Sequence, residues 1–132
     1  MLDAHLAREV PEPDPVYLEL LEVLASMLTE RTLVRVDDVA ARCGSTVRSL
    51  QRVFHRFVGV GPKWVLQRYR LQDAAAAIDA GEVSDLAALA ADLGWFDQAH
   101  FSRDFRSSVG VTPSEYLAQA GQPTRASANG PT

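Results

Sequence analysis

The chain has 132 residues, 47% of them hydrophobic and 23% charged, which is the composition of an ordinary soluble globular protein of one domain or two very small ones. No apolar run approaches the ~20 residues of a membrane span, and Met1 to Val10 lacks the apolar core of a signal peptide. The absence of these segments and the single cysteine favour a reducing cytoplasm. The net charge of −4 does not by itself suggest that the chain binds nucleic acid.

The first predicted element is an amphipathic helix. Prolines alternate with acidic residues ahead of it, so residues 1–14 are predicted to be a disordered or linking lead-in. Asp14 is a predicted N-cap and Pro15 the first helical residue. Apolar side chains at helical spacing then extend the helix to about Glu30, with the apolar stripe facing the core.

A helix-turn-helix follows. Asp37 is predicted to cap a short helix over 38–43, and Gly44 to end it at a tight turn. Thr46 then caps a second helix, which ends at Gly59. The side chains of this second helix predicted to face inward are Leu50, Val53, Phe54 and Phe57. A short helix, a glycine turn and a second helix with a polar outer face form this motif.

Pro62 is predicted to open a long helix that Gly81 stops. At ~1.5 Å per residue this linking helix is about 27 Å long. Trp64 near its start, like Trp95 further on, is predicted to be a core wedge rather than a stacking platform.

The second unit repeats the pattern of the first. Ser84 is predicted to cap a short helix over 85–93, followed by a turn at Gly94. Asp97 caps the next helix, which ends at Gly110 and buries Phe101 and Phe105. Thr112-Pro-Ser-Glu115 is a capping box that opens a short last helix containing Tyr116 and Leu117.

The two units are copies at the level of sequence. Thr46–Phe54 lines up with Asp97–Phe105 at an offset of 51, and Val58–Pro62 lines up with Val109–Pro113 at the same offset. Upstream the offset is 50, which places Gly44 on Gly94. Two copies of one helical unit suggest contact with two equivalent places on a periodic partner, and duplex DNA is such a partner.

The charge distribution supports this interpretation. Residues 1–38 carry a net charge of −6 and residues 73–132 a net of −5. Residues 39–72 hold seven cations and no acid. A local field of this kind attracts a phosphate backbone whatever the net charge of the chain.

The candidate base-reading residues are those left on the outer faces after the inward ones are removed. The first unit offers Val47, Arg48, Gln51 and Arg52, and the second offers Gln98, Ala99, Ser102 and Arg103, with His100 at the edge. Arginine pairs with guanine, glutamine with adenine, and an apolar group with a thymine methyl. A linking helix of about 27 Å could hold two reading helices about one DNA turn apart, ~34 Å.

The sequence contains little evidence for a metal site or a catalytic site. Three scattered histidines and Cys43 lack the spacing of a metal site, and Cys43 is expected to pack as a small hydrophobe. No phosphate-binding loop, nucleophile elbow or catalytic carboxylate pair is present, so no enzyme activity, cofactor or metal is predicted.

From about Val34 to Leu117 the sequence resembles the DNA-binding domain of the AraC/XylS transcription regulators. The motifs that carry the resemblance are Arg48-Ser-Leu-Gln-Arg52 with Phe54, Gly59-Val-Gly-Pro62, Tyr69-Arg-Leu-Gln-Asp-Ala74, Ala90-Ala-Asp-Leu-Gly-Trp-Phe-Asp-Gln98, His100-Phe-Ser-Arg103 with Phe105, and Gly110-Val-Thr-Pro-Ser-Glu-Tyr116. The resemblance implies seven helices, an asymmetric DNA site and control of transcription initiation, often activation through contact with RNA polymerase. It also implies a bacterial, cytoplasmic protein associated with the nucleoid.

By position, the resemblance assigns base reading to Arg48, Gln51 and Arg52 in the first unit and to Gln98, Ala99, Ser102 and Arg103 in the second. Val47 and His100 complete the candidate set. The residues expected near phosphates are Thr46, Arg56, Lys63, Arg106, Ser107 and Thr112. The second unit is poor in cations and has Asp97 and Asp104 beside its arginines. The first unit is therefore expected to supply most of the affinity.

The sequence thus predicts an all-α, seven-helix tandem helix-turn-helix fold that binds double-stranded DNA as a monomer, with dimerisation, if any, through a domain absent from this chain. The predicted parts are a lead-in (1–14), a first subdomain (15–61), a linking helix (62–81), a second subdomain (82–120) and a mobile tail (121–132). The alternative is a protein-interaction domain of the same fold that has lost DNA binding.

Overall fold

The computed structural model describes residues 14–121, and within that range the protein is all-helical. The predicted lead-in and tail, apart from Asp14 and Gly121, lie outside the described residues. The seven helices of the described range are α1 Pro15–Thr29, α2 Val36–Arg42, α3 Val47–Phe57, α4 Pro62–Asp79, α5 Leu86–Asp92, α6 Gln98–Val109 and α7 Pro113–Ala120. The fold predicted from the sequence is confirmed.

The internal repeat is visible in the helix starts. α3 and α6 begin 51 residues apart, as do α4 and α7, whereas α2 and α5 begin 50 residues apart. The extra residue of the second copy therefore lies in the turn between α5 and α6. Equivalent hydrogen bonds in the two turns locate the extra residue. The Ser45 N–H donates to the Ala40 carbonyl, and the Trp95 N–H donates to the Ala90 carbonyl. Phe96 is the residue without a counterpart in the first copy.

Four of the predicted helix caps are confirmed. The side chains of Asp14, Thr46, Asp97 and Thr112 accept hydrogen bonds from backbone N–H groups in the first turns of their helices. These short polar side chains satisfy donors that the helix itself leaves unpaired.

Two predicted caps are wrong. α2 begins before Asp37, because the Asp38 carboxylate accepts from the Arg35 N–H at 3.3 Å and so fixes the start two residues earlier. α5 is capped by Asp85 rather than Ser84: one Asp85 oxygen accepts from the N–H groups of both Ala87 and Ala88.

Two hydrophobic cores form, one in each unit, and α4 contributes to both. The first core includes Leu20, Met27, Val39, Leu50, Phe54, Val65 and Leu66. The second includes Leu71, Ala74, Ile78, Ala90, Trp95, Phe101 and Phe105. The first half of α4 therefore packs in one core and its second half in the other, so α4 is a shared structural element as well as a connection.

Trp95 is buried as predicted. Its ring packs edge-on against Phe101 at 5.2 Å between centroids, and its indole N–H donates to Asp104 at 2.9 Å. The prediction for Trp64 is wrong. Trp64 is 49% exposed and lies under the Arg68 guanidinium, 4.2 Å from the ring centroid. Trp64 lies on the outer side of α4, where a stacked cation covers it instead of core residues.

Arg70 is a buried cation on α4. Its guanidinium donates to the carbonyls of Met27 and Glu30 at the end of α1, and one of its nitrogens lies 3.4 Å from the Asp73 carboxylate. Desolvation lowers the pKa of Arg70, and the Asp73 charge opposes that shift. Arg70 thus satisfies the C-terminal carbonyls of α1 from inside the first unit.

Candidate nucleic-acid interface

The outer face of α3 presents the side chains predicted to read bases. Arg48, Gln51 and Arg52 are exposed, while Leu50 and Phe54 on the opposite face are buried. Val47 is half-buried against the first core, so a smaller part of it faces outward. The start of α3 is fixed by Thr46, whose hydroxyl accepts from the Ser49 N–H at 3.1 Å. The Thr46 side chain is exposed but already holds this hydrogen bond.

In the folded protein, fewer of the seven cations of residues 39–72, the basic segment, are free to contact a partner. Of its seven cations, Arg70 is buried, Arg42 pairs with Glu30 at 2.9 Å, and Arg56 pairs with Asp14 at 3.4 Å. Arg68 is half-buried, stacked on Trp64 and bonded to Ser108. Within residues 14–121, the cations of this segment that form no ion pair and no stack are Arg48, Arg52 and Lys63.

The outer face of α6 is less basic. Gln98, Ala99 and Arg103 are exposed and Ser102 is half-buried, with Phe101 and Phe105 wholly inside. These four positions lie on the face opposite the core, where the sequence predicted them.

His100 lies at the edge of α6 and interacts with Asp104. Its Nε2 is 3.2 Å from an Asp104 oxygen that also accepts from the Trp95 indole. Within residues 14–121, a contact of the His100 ring with a base therefore competes with its contact to Asp104. Asp104 itself is half-buried.

The residues predicted near phosphates are distributed over several helix ends. Lys63 is exposed in the first turn of α4, and Arg106 and Ser107 are exposed in the last turns of α6. Arg56 is exposed near the end of α3, above the Phe57 ring. Thr112 is half-buried and committed to its capping box with Glu115, which leaves its hydroxyl less available than the other side chains.

A cleft of about 500 Å³ separates the two units on the side of the predicted base readers. Val47, Gln51 and His55 of α3 line one wall, and Lys63 lies in the same cleft. Gly94 and Phe96, in the turn between α5 and α6, also line it. The cleft therefore extends from the reading face of α3 to the turn that precedes α6.

Phe96 was missed by the sequence-based prediction. It is 99% exposed, whereas its neighbour Trp95 is 6% exposed. The change of offset from 50 to 51 at this turn is the signal that could have identified it, because an inserted residue has no equivalent position in the core of the first copy.

Within residues 14–121, no set of three or more histidine, cysteine or acidic side chains is grouped as a metal site would require. Over the same range, none of the helices has both the length and the apolarity needed to cross a bilayer.

Comparisons with known proteins agree with this architecture. The profile of a helix-turn-helix domain family matches residues 39–119. The probable transcription factor PqrA of Proteus vulgaris is 27% identical over 105 residues, which cover 80% of this chain and 85% of that protein. The XylDLEGF operon transcriptional activator of Pseudomonas putida is 23% identical over 122 residues, covering 90% of this chain but 37% of that protein.

A solved structure matches as well. The crystal structure of a transcriptional regulator from Chromobacterium violaceum, described as an AraC-type DNA-binding domain-containing protein, is 26% identical, with a TM-score of 0.64. The match covers 81% of this chain and 96% of that one. The chain therefore belongs to the AraC/XylS family of transcription regulators and carries the family's tandem helix-turn-helix DNA-binding domain.

Proposed function

We propose that this chain binds one asymmetric duplex site as a monomer, with α3 and α6 in successive major grooves, and thereby controls transcription initiation. The observation that carries the proposal is that each unit exposes one polar, arginine-bearing helix while burying that helix's opposite face. The major groove, ~12 Å wide, admits one such helix. A single chain with two of them reads two grooves without a second copy.

Arg48, Gln51 and Arg52 are the base readers of the first unit, and Gln98, Ala99, Ser102 and Arg103 those of the second. Val47 and His100 contribute at the edges of these faces. Contacts to phosphates come from Thr46, Arg56, Lys63, Arg106, Ser107 and Thr112. Arg48, Arg52 and Lys63 hold no ion pair within residues 14–121, so DNA contact by them breaks no salt bridge in that part of the chain.

Activation through RNA polymerase is the further part of this proposal. The name of the Pseudomonas putida relative describes an activator of an operon, which supports the same role here. The chain acts in the bacterial cytoplasm at the nucleoid. The family is one of transcription regulators and not of enzymes. The alternative of a domain that has lost DNA binding finds no support in the comparisons.

Selection from a random duplex library, with the affinity of the selected duplexes measured at two salt concentrations, tests this proposal. The expected product is an asymmetric motif with two base clusters about one helical turn apart and a strong salt dependence. Arg48→Ala should erase preference in one cluster and Arg103→Ala in the other. Arg31→Ala removes an exposed cation from outside both reading helices and should leave the motif intact.

Enrichment of one cluster alone would contradict the two-groove part of the proposal and assign α6 a supporting role. If no duplex is enriched at low salt, the DNA-binding function itself is wrong for this chain.

A further inference from the structure

Phe96 is a large apolar side chain that packs against nothing in the described protein. It is 99% exposed, whereas Leu28, the next most exposed large apolar residue within 14–121, is 54% exposed. A side chain that stays in water adds no burial energy to folding. Burial therefore does not account for a phenylalanine at this position, and its ring is available to a partner.

The position of Phe96 is that of an insertion into the second turn. The Gly44 turn of the first unit passes directly from Ser45 to the cap Thr46, whereas the Gly94 turn places Phe96 between Trp95 and the cap Asp97. The insertion leaves the buried positions unchanged, because Trp95 is still bonded to Ala90 and packed on Phe101. The extra residue is thus displayed on the surface without disturbing the core.

Phe96 lies at the end of α6 that would enter a groove. Asp97, the next residue, is the N-cap of α6, and Gln98 and Ala99 in its first turn are exposed beside it. The N-terminal residues of a recognition helix contact base edges. Phe96 also lines the cleft that contains Val47 and Gln51 of α3, so it lies on the side of the protein proposed to face DNA.

The chemistry of the ring restricts what it can contact there. Phenylalanine has no hydrogen-bonding group and no charge, so it pairs neither with the polar base edges nor with phosphate. The major groove offers one apolar group, the C5 methyl of thymine, and apolar side chains contact it. We propose that Phe96 reads a thymine methyl in the base cluster recognised by α6, an inference that rests on the proposed DNA-binding function.

The test uses the duplex recovered by library selection and a series of duplexes in which one thymine at a time is replaced by deoxyuridine, which removes only the methyl group. Replacing one thymine in the base cluster recognised by α6 should lower the affinity of the wild-type chain for the duplex about three- to tenfold. Phe96→Ala should show the same loss on the thymine duplex and no additional loss on the uracil duplex. Phe96→Leu should retain the difference between thymine and uracil.

Leu28→Ala is the matched control, since it removes an exposed apolar side chain from α1, outside the cleft. It should bind like the wild type and show the same uracil response. Thermal unfolding of the Phe96 variants should be unchanged.

Two results would overturn the inference while leaving the proposed function standing. One is a Phe96→Ala variant that keeps the wild-type affinity and uracil profile, including one that loses only transcriptional activation through a protein contact. The other is a loss of affinity that is equal on thymine and uracil duplexes at every position. Failure of the library selection itself overturns both proposals, since no DNA site is then read.

Discussion

At the scale of single residues, arginines that look alike in the sequence have different roles in the structure. Arg48 and Arg52 project from α3, whereas Arg70 lies inside the protein and is 1% exposed. The guanidinium of Arg70 bridges α4 to the end of α1 through the carbonyls of Met27 and Glu30, so its removal leaves buried acceptors unpaired.

Arg70→Met should lower the free energy of unfolding by about 2–4 kcal/mol, because it leaves two carbonyls without their donor and removes one of the two arginines beside the Asp73 carboxylate. Urea denaturation measures this loss. Arg68→Met, two residues earlier on the same helix, removes a half-buried cation stacked on Trp64 and should cost less than about 1 kcal/mol. Equal costs for the two variants would show that the buried hydrogen bonds of Arg70 contribute little.

Arg52→Ala should cost about 1–3 kcal/mol of binding energy on the selected duplex and relax the preference at one base pair. A competition assay with every single-base variant of the duplex measures both effects. Lys63→Ala is the matched comparison, since Lys63 is an exposed cation outside the reading helices. It should weaken all sequences alike and reduce the salt slope by about one. A base-specific loss at Lys63, or an unchanged base profile for Arg52→Ala, would reverse their assigned roles.

At the scale of helices, caps determine where each element begins, and the cap of α7 makes the fold sensitive to pH. The Thr112–Glu115 capping box starts α7: the Thr112 N–H donates to the Glu115 carboxylate at 2.9 Å, and the Glu115 N–H to the Thr112 hydroxyl at 3.2 Å. The hydrogen bond from the Thr112 backbone, followed by the interaction with its side chain, lowers the pKa of Glu115 below its ordinary value of 4.5.

A carboxylate whose pKa is lower in the folded than in the unfolded chain stabilises the fold above the unfolded pKa. That contribution is lost as the pH falls through the folded pKa. The stability advantage of the wild type over Glu115→Ala should therefore be largest near neutral pH and shrink as the pH falls below 4.5. Thermal unfolding between pH 7 and pH 3 measures it.

Glu82→Ala is the control for this experiment, because the exposed Glu82 side chain makes no ion pair or hydrogen bond with residues 14–121. Its stability difference from the wild type should stay nearly constant over the same pH range. A constant difference for Glu115→Ala as well would contradict the capping role of its carboxylate.

At the scale of the whole molecule, two contacts within residues 14–121 illustrate how the units are joined. One is α4, which contributes side chains to both cores. The other joins the turn of the second unit to the segment before α2: a Cβ added to Gly94 would lie 2.9 Å from the Val34 carbonyl oxygen and 3.0 Å from its Cβ. Glycine at this turn permits both the left-handed backbone and the close approach of the two units.

Gly94→Ala should therefore destabilise the protein more than Gly110→Ala. Both glycines have a positive φ, +101° and +103°, so each alanine costs about 1–2 kcal/mol in backbone strain. The space around Gly110 is open, whereas the methyl at Gly94 collides with Val34 and adds about 1–3 kcal/mol. Urea denaturation of both variants measures the difference. Equal losses in the free energy of unfolding would mean that the structure around Val34 accommodates the added methyl group without further destabilisation.

The sequence by itself determined the helices, the tandem repeat, most of the caps and the inner faces of α3 and α6. These features depend on interactions between residues within about four positions of one another, so their pattern can be recognised directly in the sequence. The predicted readers Arg48, Gln51 and Arg52 are exposed on the face expected from that pattern.

The tertiary structure alone decided which of the chemically similar residues are available to a partner. The burial of Arg70 depends on carbonyls 40 and 43 residues away in the sequence. The exposure of Trp64 likewise depends on how distant helices pack. A local pattern specifies that an aromatic or a cation is present, but the fit of helices across the core decides whether water, protein or DNA surrounds it.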